Sequence, residues 1–169
     1  MKIHRLLSAS LLVCAVLLIS GCGYELVRDK GIYGGEIMSL NIPVFTNKSL
    51  EPQVSGFFTD AFSMELAGSG FFQINTAGAD ATLQGAIVSV ITGPGALSAA
   101  GQSVQKTATA IISLTLTKED KVVKTWTFGD AEVYDATSIN LEDFNRRAAL
   151  QRIAARIARR FHSQLLAVH

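Results

Sequence analysis

The chain has 169 residues, 15 lysines and arginines, 14 aspartates and glutamates, and a formal net charge of +1. Near-neutrality excludes the strongly basic footprint of a nucleic-acid binder, and the length suits one domain with its own hydrophobic core. Cys14 and Cys22 are the only cysteines, so a disulfide scaffold is excluded as well.

Lys2 and Arg5 precede an apolar run from Leu6 to Ile19, and Ser20-Gly21 supply small residues immediately before Cys22. These are the parts of an exported leader, and Leu18-Ile19-Ser20-Gly21-Cys22 resembles the lipobox of bacterial lipoproteins. The resemblance implies removal of residues 1–21 as a signal peptide and attachment of lipid, palmitate included, to the Cys22 thiol. A plain signal peptide or a membrane-spanning anchor is the alternative, but 14 apolar residues are short of the roughly 20 a spanning helix needs. Processing leaves 148 residues, and with Lys2 and Arg5 gone the 15 basic side chains become 13 against 14 acidic ones. Cys14 leaves with the leader and Cys22 is acylated, so thiol redox chemistry, cysteine nucleophiles and thiolate metal sites drop out.

Residues 22–35 are glycine-rich and read as a lipidated N-terminus and tether, and residues 36–169 read as a single domain. Met38, Leu40, Ile42 and Val44 alternate with polar residues as in a half-buried strand, with Pro43 at its end or on an edge. After a loop at 46–49, Glu51-Pro52 opens a helix whose stripe is Val54, Phe57, Phe58, Ala61 and Phe62, ended by Gly68 or Gly70. Strands follow at Phe71–Ile74 and Ala81–Ile91, with a turn near Gly78. Residues 92–103 show neither period and predict a glycine-rich loop about a dozen residues long, unusual enough in a compact domain to imply a task.

The clearest alternation runs from Lys106 to Thr117. Ala108, Ala110, Ile112, Leu114 and Leu116 share one face; Thr107, Thr109, Ser113, Thr115 and Thr117 share the other, with Ile111 the one apolar exception. Glu119-Asp120-Lys121 forms a hairpin turn, and Val122–Tyr134 returns with Trp126 and Phe128 facing the core. A long helix over Leu141–Leu166 closes the chain. Asn140 is its expected N-cap, Glu142 and Asp143 stand against the positive end, and Phe144, Ile153, Ile157, Phe161 and Leu165 form the expected seam. The order β-α-β-β-β-α predicts an α+β fold: a four-stranded, mainly antiparallel sheet with two helices packed on one face.

Nothing in this pattern supports catalysis, a cofactor or a metal centre. His162 and His169 lack an acidic third ligand, and Asp130, Glu132 and Asp135 have no basic neighbour in sequence and read as a solvated strand end. Gly93-Pro94-Gly95 lacks the lysine and hydroxyl of a phosphate loop. The last helix carries six arginines against two acids. Arg152, Arg156 and Arg159 lie together opposite the seam, as a solvated helix back or as a contact for anionic lipid, lipopolysaccharide phosphate or an acidic partner.

Cys22-Gly23-Tyr24 and Leu40-Asn41-Ile42-Pro43-Val44-Phe45-Thr46-Asn47 resemble the lipopolysaccharide-assembly lipoprotein family LptE. Glu51-Pro52, Ala79-Asp80-Ala81-Thr82-Leu83-Gln84-Gly85 and the arginine- and alanine-rich last helix extend the match over almost all of the mature chain. The resemblance implies a lipid-anchored protein on the periplasmic side of the outer membrane. Such a protein plugs the LptD β-barrel, helps it assemble and aids insertion of lipopolysaccharide into the outer leaflet. Lys106, Lys121, Arg152, Arg156 and Arg159 are the candidate contacts to barrel or lipopolysaccharide. The family's basic middle loop corresponds here to residues 96–103, which contain no basic residue, so direct headgroup binding by this loop is not expected.

Two other classes compete. One is a lipoprotein activator of a periplasmic peptidoglycan synthase; residues 23–35 extend only about 40 Å, which favours a partner near the membrane. The other is a carrier of a small apolar ligand, against which aromatic side chains fill both helical seams. The lipobox reading is tested by Cys22→Ser, which is expected to leave a soluble or uncleaved precursor on fractionation; membrane retention equal to wild type refutes it.

Overall fold

The computed structural model describes residues 32, 33, 35–97, 99 and 104–167. The leader, Cys22, nearly all of the 22–35 tether and His169 lie outside the described residues. The elements are β1 (Ser39–Asn41), β2 (Thr46–Asn47), α1 (Val54–Gly68), β3 (Gln73–Ile74), β4 (Ala81–Pro94), β5 (Gln105–Lys118), β6 (Lys121–Asp135) and α2 (Ile139–Leu166).

The fold is α+β with both helices on one face, but the expectation of a four-stranded, mainly antiparallel sheet is corrected. Six strands form one mixed sheet in the order β3-β1-β4-β5-β6, with β2 also beside β4. β1 pairs parallel with β3 and β4, and β2 parallel with β4, whereas β4-β5 and β5-β6 are antiparallel. The reason is the position of α1 between the early strands and β4. A chain that crosses over through a helix returns to the sheet in its original direction.

β1 and β2 border the same edge of β4 and amount to one strand broken at Ile42–Phe45. Asn41 is opposite Thr82 and Thr46 opposite Ala86, so five steps on the edge match four on β4. Pro43 sits in the break, where it has no ladder bond to lose. The break ends the alternation foreseen for Met38–Val44: Leu40 is buried, but Met38 and Val44 are exposed. It also turns Phe45 inward, over Gly85 of β4, where a Cβ would overlap the Phe45 ring.

The break is held from both sides. Asp80 Oδ2 accepts hydrogen bonds from the N–H groups of Met38 (3.0 Å) and Ser39 (2.8 Å) and from Ser39 Oγ (2.8 Å), while Asp80 N–H donates to Ser39 Oγ (3.0 Å). Asn47 Oδ1 accepts from the Ser49 N–H and hydroxyl, and its Nδ2 donates to the Glu51 carbonyl. These contacts give a structural reason for an aspartate before β4 and an asparagine after Thr46.

α1 begins at Val54, after Pro52 and Gln53, with Gln53 in the left-handed region at φ 63°; Pro52 therefore precedes the helix and does not occupy its first turn. Gly70, at φ +73°, follows the Ser69 C-cap. Val54, Phe58, Phe62 and Leu66 are its buried line. β4 continues through Thr92, Gly93 and Pro94, paired with Ala108, Thr107 and Lys106, so the loop foreseen at 92–103 begins only at Gly95. Gly95 N–H bonds to the Gln105 carbonyl; alternation along the ladder then puts the Pro94 nitrogen on the open edge, where no donor is needed.

α2 starts two residues earlier than expected, with Ser138 and not Asn140 as N-cap. Its buried line is Ala149, Leu150, Ile153, Ala154, Ile157, Ala158, Phe161 and Leu165. Phe144 is 66% exposed, correcting its place in the seam: nine residues before Ile153 is two and a half helical turns, on the opposite side. Phe161 is the hub of the core. Its ring lies 5.5 Å from Phe62, 5.1 Å from Trp126 and 6.2 Å from Phe128, and Phe62 lies 5.2 Å from Phe45. One run of aromatic contacts thus joins the edge strand, both helices and β6.

Gly85→Ala is expected to destabilise the fold by about 1–3 kcal/mol through overpacking, and combining it with Phe45→Ala should cost less than the sum of the two. Strict additivity in a double-mutant cycle by chemical denaturation contradicts the close approach.

Candidate partner-binding face

The sequence-derived contact residues do not converge on one site. On β6, Trp126, Phe128, Asp130, Glu132 and Tyr134 share one parity and face the helix layer. Arg156 Nε donates to Asp130 (2.8 Å) and its Nη1 to Glu132 (2.6 Å), while Arg152 Nε donates to Glu132 (2.8 Å). Arg156 and Arg160 also donate to the carbonyls of Ala131 (3.0 Å) and Gly129 (2.8 Å), and Asn145 to that of Asp135 (3.0 Å). α2 therefore covers the outer edge of β6 over residues 129–135, a common need of edge strands. Arg152 and Arg156, expected on a free helix back, are occupied within the fold; Arg159 is exposed, and its guanidinium has no hydrogen bond or ion pair among the described residues.

Of the carboxylates foreseen as a solvated strand end, Asp135 is exposed and accepts from Thr137, whereas Asp130 and Glu132 are ion-pair partners. Their signal lay in the parity they share with Trp126 and Phe128, which turns them toward an arginine-bearing helix. Burial pushes the Asp130 carboxyl up, but the Arg156 hydrogen bond, the Ala131 N–H and the nearby Arg160 charge outweigh this and leave it below the ordinary carboxylate value. Hydrogen bonds from Arg152 and Arg156 lower Glu132. Lys106 pairs with Glu142, and Lys121 is exposed at the start of β6, far from the arginines along the strand. His162 Nδ1 lies 3.0 Å from Glu65 between the helices. Among the described residues no group of three His, Cys, Asp or Glu side chains is arranged to hold a metal ion.

The sheet face opposite the helices is different in kind. Its rungs across β4, β5 and β6 read Thr82-Thr117-Val122, Gln84-Thr115-Thr125, Ala86-Ser113-Thr127, Ser89-Ile111-Gly129, Ile91-Thr109-Ala131 and Gly93-Thr107-Val133. The change of parity on β4 comes from a bulge between Ile87 and Ser89, which keeps Val90 inward and turns Ile91 out. No charged side chain occurs in these six rungs of three. A soluble surface with about 25–35% charged residues would place roughly five there. A surface groove of about 510 Å³ opens beside the β1–β2 break, lined in part by Val44, Lys48, Gln84, Ser113 and Thr115, so Lys48 stands at the margin of the uncharged area.

A model of the lipopolysaccharide-assembly family LptE matches residues 37–165. The chain belongs to that family. The matched region spans every element described above except the last residue of α2. No curated protein matches in sequence. Among solved structures, the fold is similar to a minor lipoprotein from Acinetobacter baumannii (10% identity, TM-score 0.54, 78% of this chain and 92% of that one). It is also similar to rare lipoprotein B from Shewanella oneidensis (9%, 0.51, 76% and 94%) and to a protein from Xanthomonas campestris (15%, 0.53, 77% and 84%). At these identities the likeness is one of fold. LptE membership assigns the chain to lipopolysaccharide assembly, and Arg152, Arg156 and Arg160 of its last helix serve in this member to lock α2 onto β6.

Because Asp130 and Glu132 are more acidic folded than unfolded, their stabilisation is complete above the unfolded value of about 4 and is lost as pH falls through the lower folded values. The double variant Asp130→Asn, Glu132→Gln should melt below wild type at pH 7, and the gap should narrow progressively as pH falls below about 4. A gap of constant size across that range, followed by circular dichroism, argues against the ladder.

Proposed function

We propose that the chain is the lipid-anchored LptE subunit of an outer-membrane lipopolysaccharide translocon. In this reading Cys22 carries the anchor, the protein works on the periplasmic side of the outer membrane, and the folded domain seats in an LptD β-barrel. It aids the barrel's assembly and the delivery of lipopolysaccharide to the outer leaflet, with no reaction of its own. The supporting observation is the uncharged face of β4, β5 and β6. Large barrels have polar lumens, and a face of hydroxyls, amides and small apolar groups can satisfy such a wall without burying an unpaired charge, which costs several kcal/mol per ion.

The dimensions suit this role. The six rungs, on three strands about 4.8 Å apart and over residues 107–117 of β5 at about 3.3 Å each, cover roughly 520 Å², about two thirds of the 800 Å² or so that one partner contributes to a stable interface. Arg159, Lys121 and Lys106 remain possible contributors to lipopolysaccharide contact, Arg159 with its guanidinium unengaged and Lys106 only by leaving Glu142.

Gentle detergent solubilisation of envelopes and affinity purification of the tagged chain should recover an LptD barrel, and depletion should lower both folded barrel and surface lipopolysaccharide. Recovery of a peptidoglycan synthase in place of a barrel, or unchanged barrel levels on depletion, overturns the proposal.

A further inference from the structure

The uncharged face is graded along its length. Toward the Glu119-Asp120 turn its rungs are threonine, serine and glutamine, with Ala86 on β4 and Val122 at the outer corner. Toward the far end they are Ser89-Ile111-Gly129, Ile91-Thr109-Ala131 and Gly93-Thr107-Val133. Ile91, Ile111 and Val133 stand 60%, 36% and 51% exposed. By register Ile111 is a diagonal neighbour of Ile91 and Ala131, and Val133 follows Ala131 on the same face, so Ile91, Ile111, Ala131 and Val133 form a bent apolar ridge with its corner at Ile111. Hollows flank it. Gly93 has open space where a side chain would stand, and a Cβ at Gly129 would lie 3.8 Å from the Ile111 side chain. A facing side chain can settle beside the ridge at both positions.

Asp135, which follows Val133 on the same face, accepts from the Thr137 N–H (2.7 Å) and hydroxyl (2.6 Å); the basic side chains near that end are paired within the chain. Lys106 meets Glu142, Arg146 meets Asp143 and Glu51, and Arg147 meets Asp143. As far as Val133 the far end thus offers apolar groups and closed ion pairs, with the Asp135 carboxylate at its margin, whereas the opposite end carries Glu119, Asp120 and Lys121 at the tip of an exposed turn. Binding surfaces have this plan: a desolvated centre poor in charge, and a wetter margin of hydrogen-bonding groups.

We infer that the Ile91–Ile111–Val133 ridge is the dry centre of the contact with the barrel, and that the serine- and threonine-rich half is its hydrated margin. This rests on the reading of the chain as a barrel-seated subunit. The occupant is the barrel's inner wall, at a stretch presenting uncharged side chains, and the energetic weight of the contact falls on the half of the sheet farther from the Glu119-Asp120 turn.

The experiment compares full-length, lipidated, tagged wild type with Ile111→Asp, Ile111→Thr and Thr115→Asp, measuring the barrel recovered per molecule from solubilised envelopes. All three substitutions lie on the outer face of β5, and the two aspartates carry the same strand-propensity penalty. Ile111→Thr keeps a β-branched side chain, so it reads the loss of apolar contact without a new charge. Ile111→Asp should reduce recovered barrel at least about tenfold and Ile111→Thr about threefold, while Thr115→Asp, whose charge can stay hydrated, should stay within about twofold of wild type. Equal losses for the two aspartates, or an Ile111→Asp variant that holds the barrel as wild type does, overturn the assignment of the centre while leaving the barrel reading intact. Failure of wild type itself to recover a barrel overturns that reading and the inference with it.

Discussion

The ring of Phe161 is the point on which the architecture depends. It receives the edges of Trp126 and Phe128 from β6 and packs against Phe62 of α1, which in turn reaches Phe45 beside the break in the edge strand. Aromatic pairs at these separations add to the gain from burial alone. They also set the position of each helix against the sheet, because Phe62 of α1 lies between Phe45 and Phe161, and Phe161 of α2 meets Phe62, Trp126 and Phe128. No disulfide shares this task among the described residues; the junction acts together with the arginine contacts of α2 on β6 and the Phe45 N–H bond to Thr59 Oγ1 of α1.

Around that junction the charged groups are spent largely on holding the molecule together. Arg152, Arg156 and Arg160 reach carboxylates and carbonyls of β6, Arg146 and Arg147 reach Asp143, and Lys106 reaches Glu142. Exposed pairs of this kind contribute little singly, but the β6 network is only a fifth to a third exposed on the Asp130, Glu132 and Arg156 side chains and has a second effect. By occupying outward carbonyls of β6 it closes part of an edge that could otherwise recruit a foreign strand. With most arginines engaged inward, recognition passes to the uncharged side of the sheet.

The alternating face of β5, the helical stripe of α1 and the inward parity of Trp126 and Phe128 were legible because each depends on a local period. Phe144 was legible too, given the correct angular count from Ile153. The parallel pairing of β1 and β2 was not, since it depends on where α1 returns the chain. Nor was the continuation of β4 through Gly93 and Pro94, which depends on the Pro94 nitrogen facing the open edge of β4, away from its partner strand. The arginine–carboxylate contacts bridge 20 to 26 residues and become visible only when helix and strand are laid side by side. The lack of charge on the outer face was present in the residues all along, but the bulge at Val88 had to be known before Ile91 could be assigned to it.

The clamp between Asp80 and Ser39 also has a mechanical meaning. β1 lies parallel to β4 at the N-terminal end of the described domain, so a pull arriving through the preceding segment loads β1 lengthwise. Bonds loaded in that direction resist together, as in shear, whereas a strand drawn away from its edge unzips one bond at a time. The three hydrogen bonds onto a single carboxylate oxygen stand where such a load would enter the sheet, and they stiffen that end of β1.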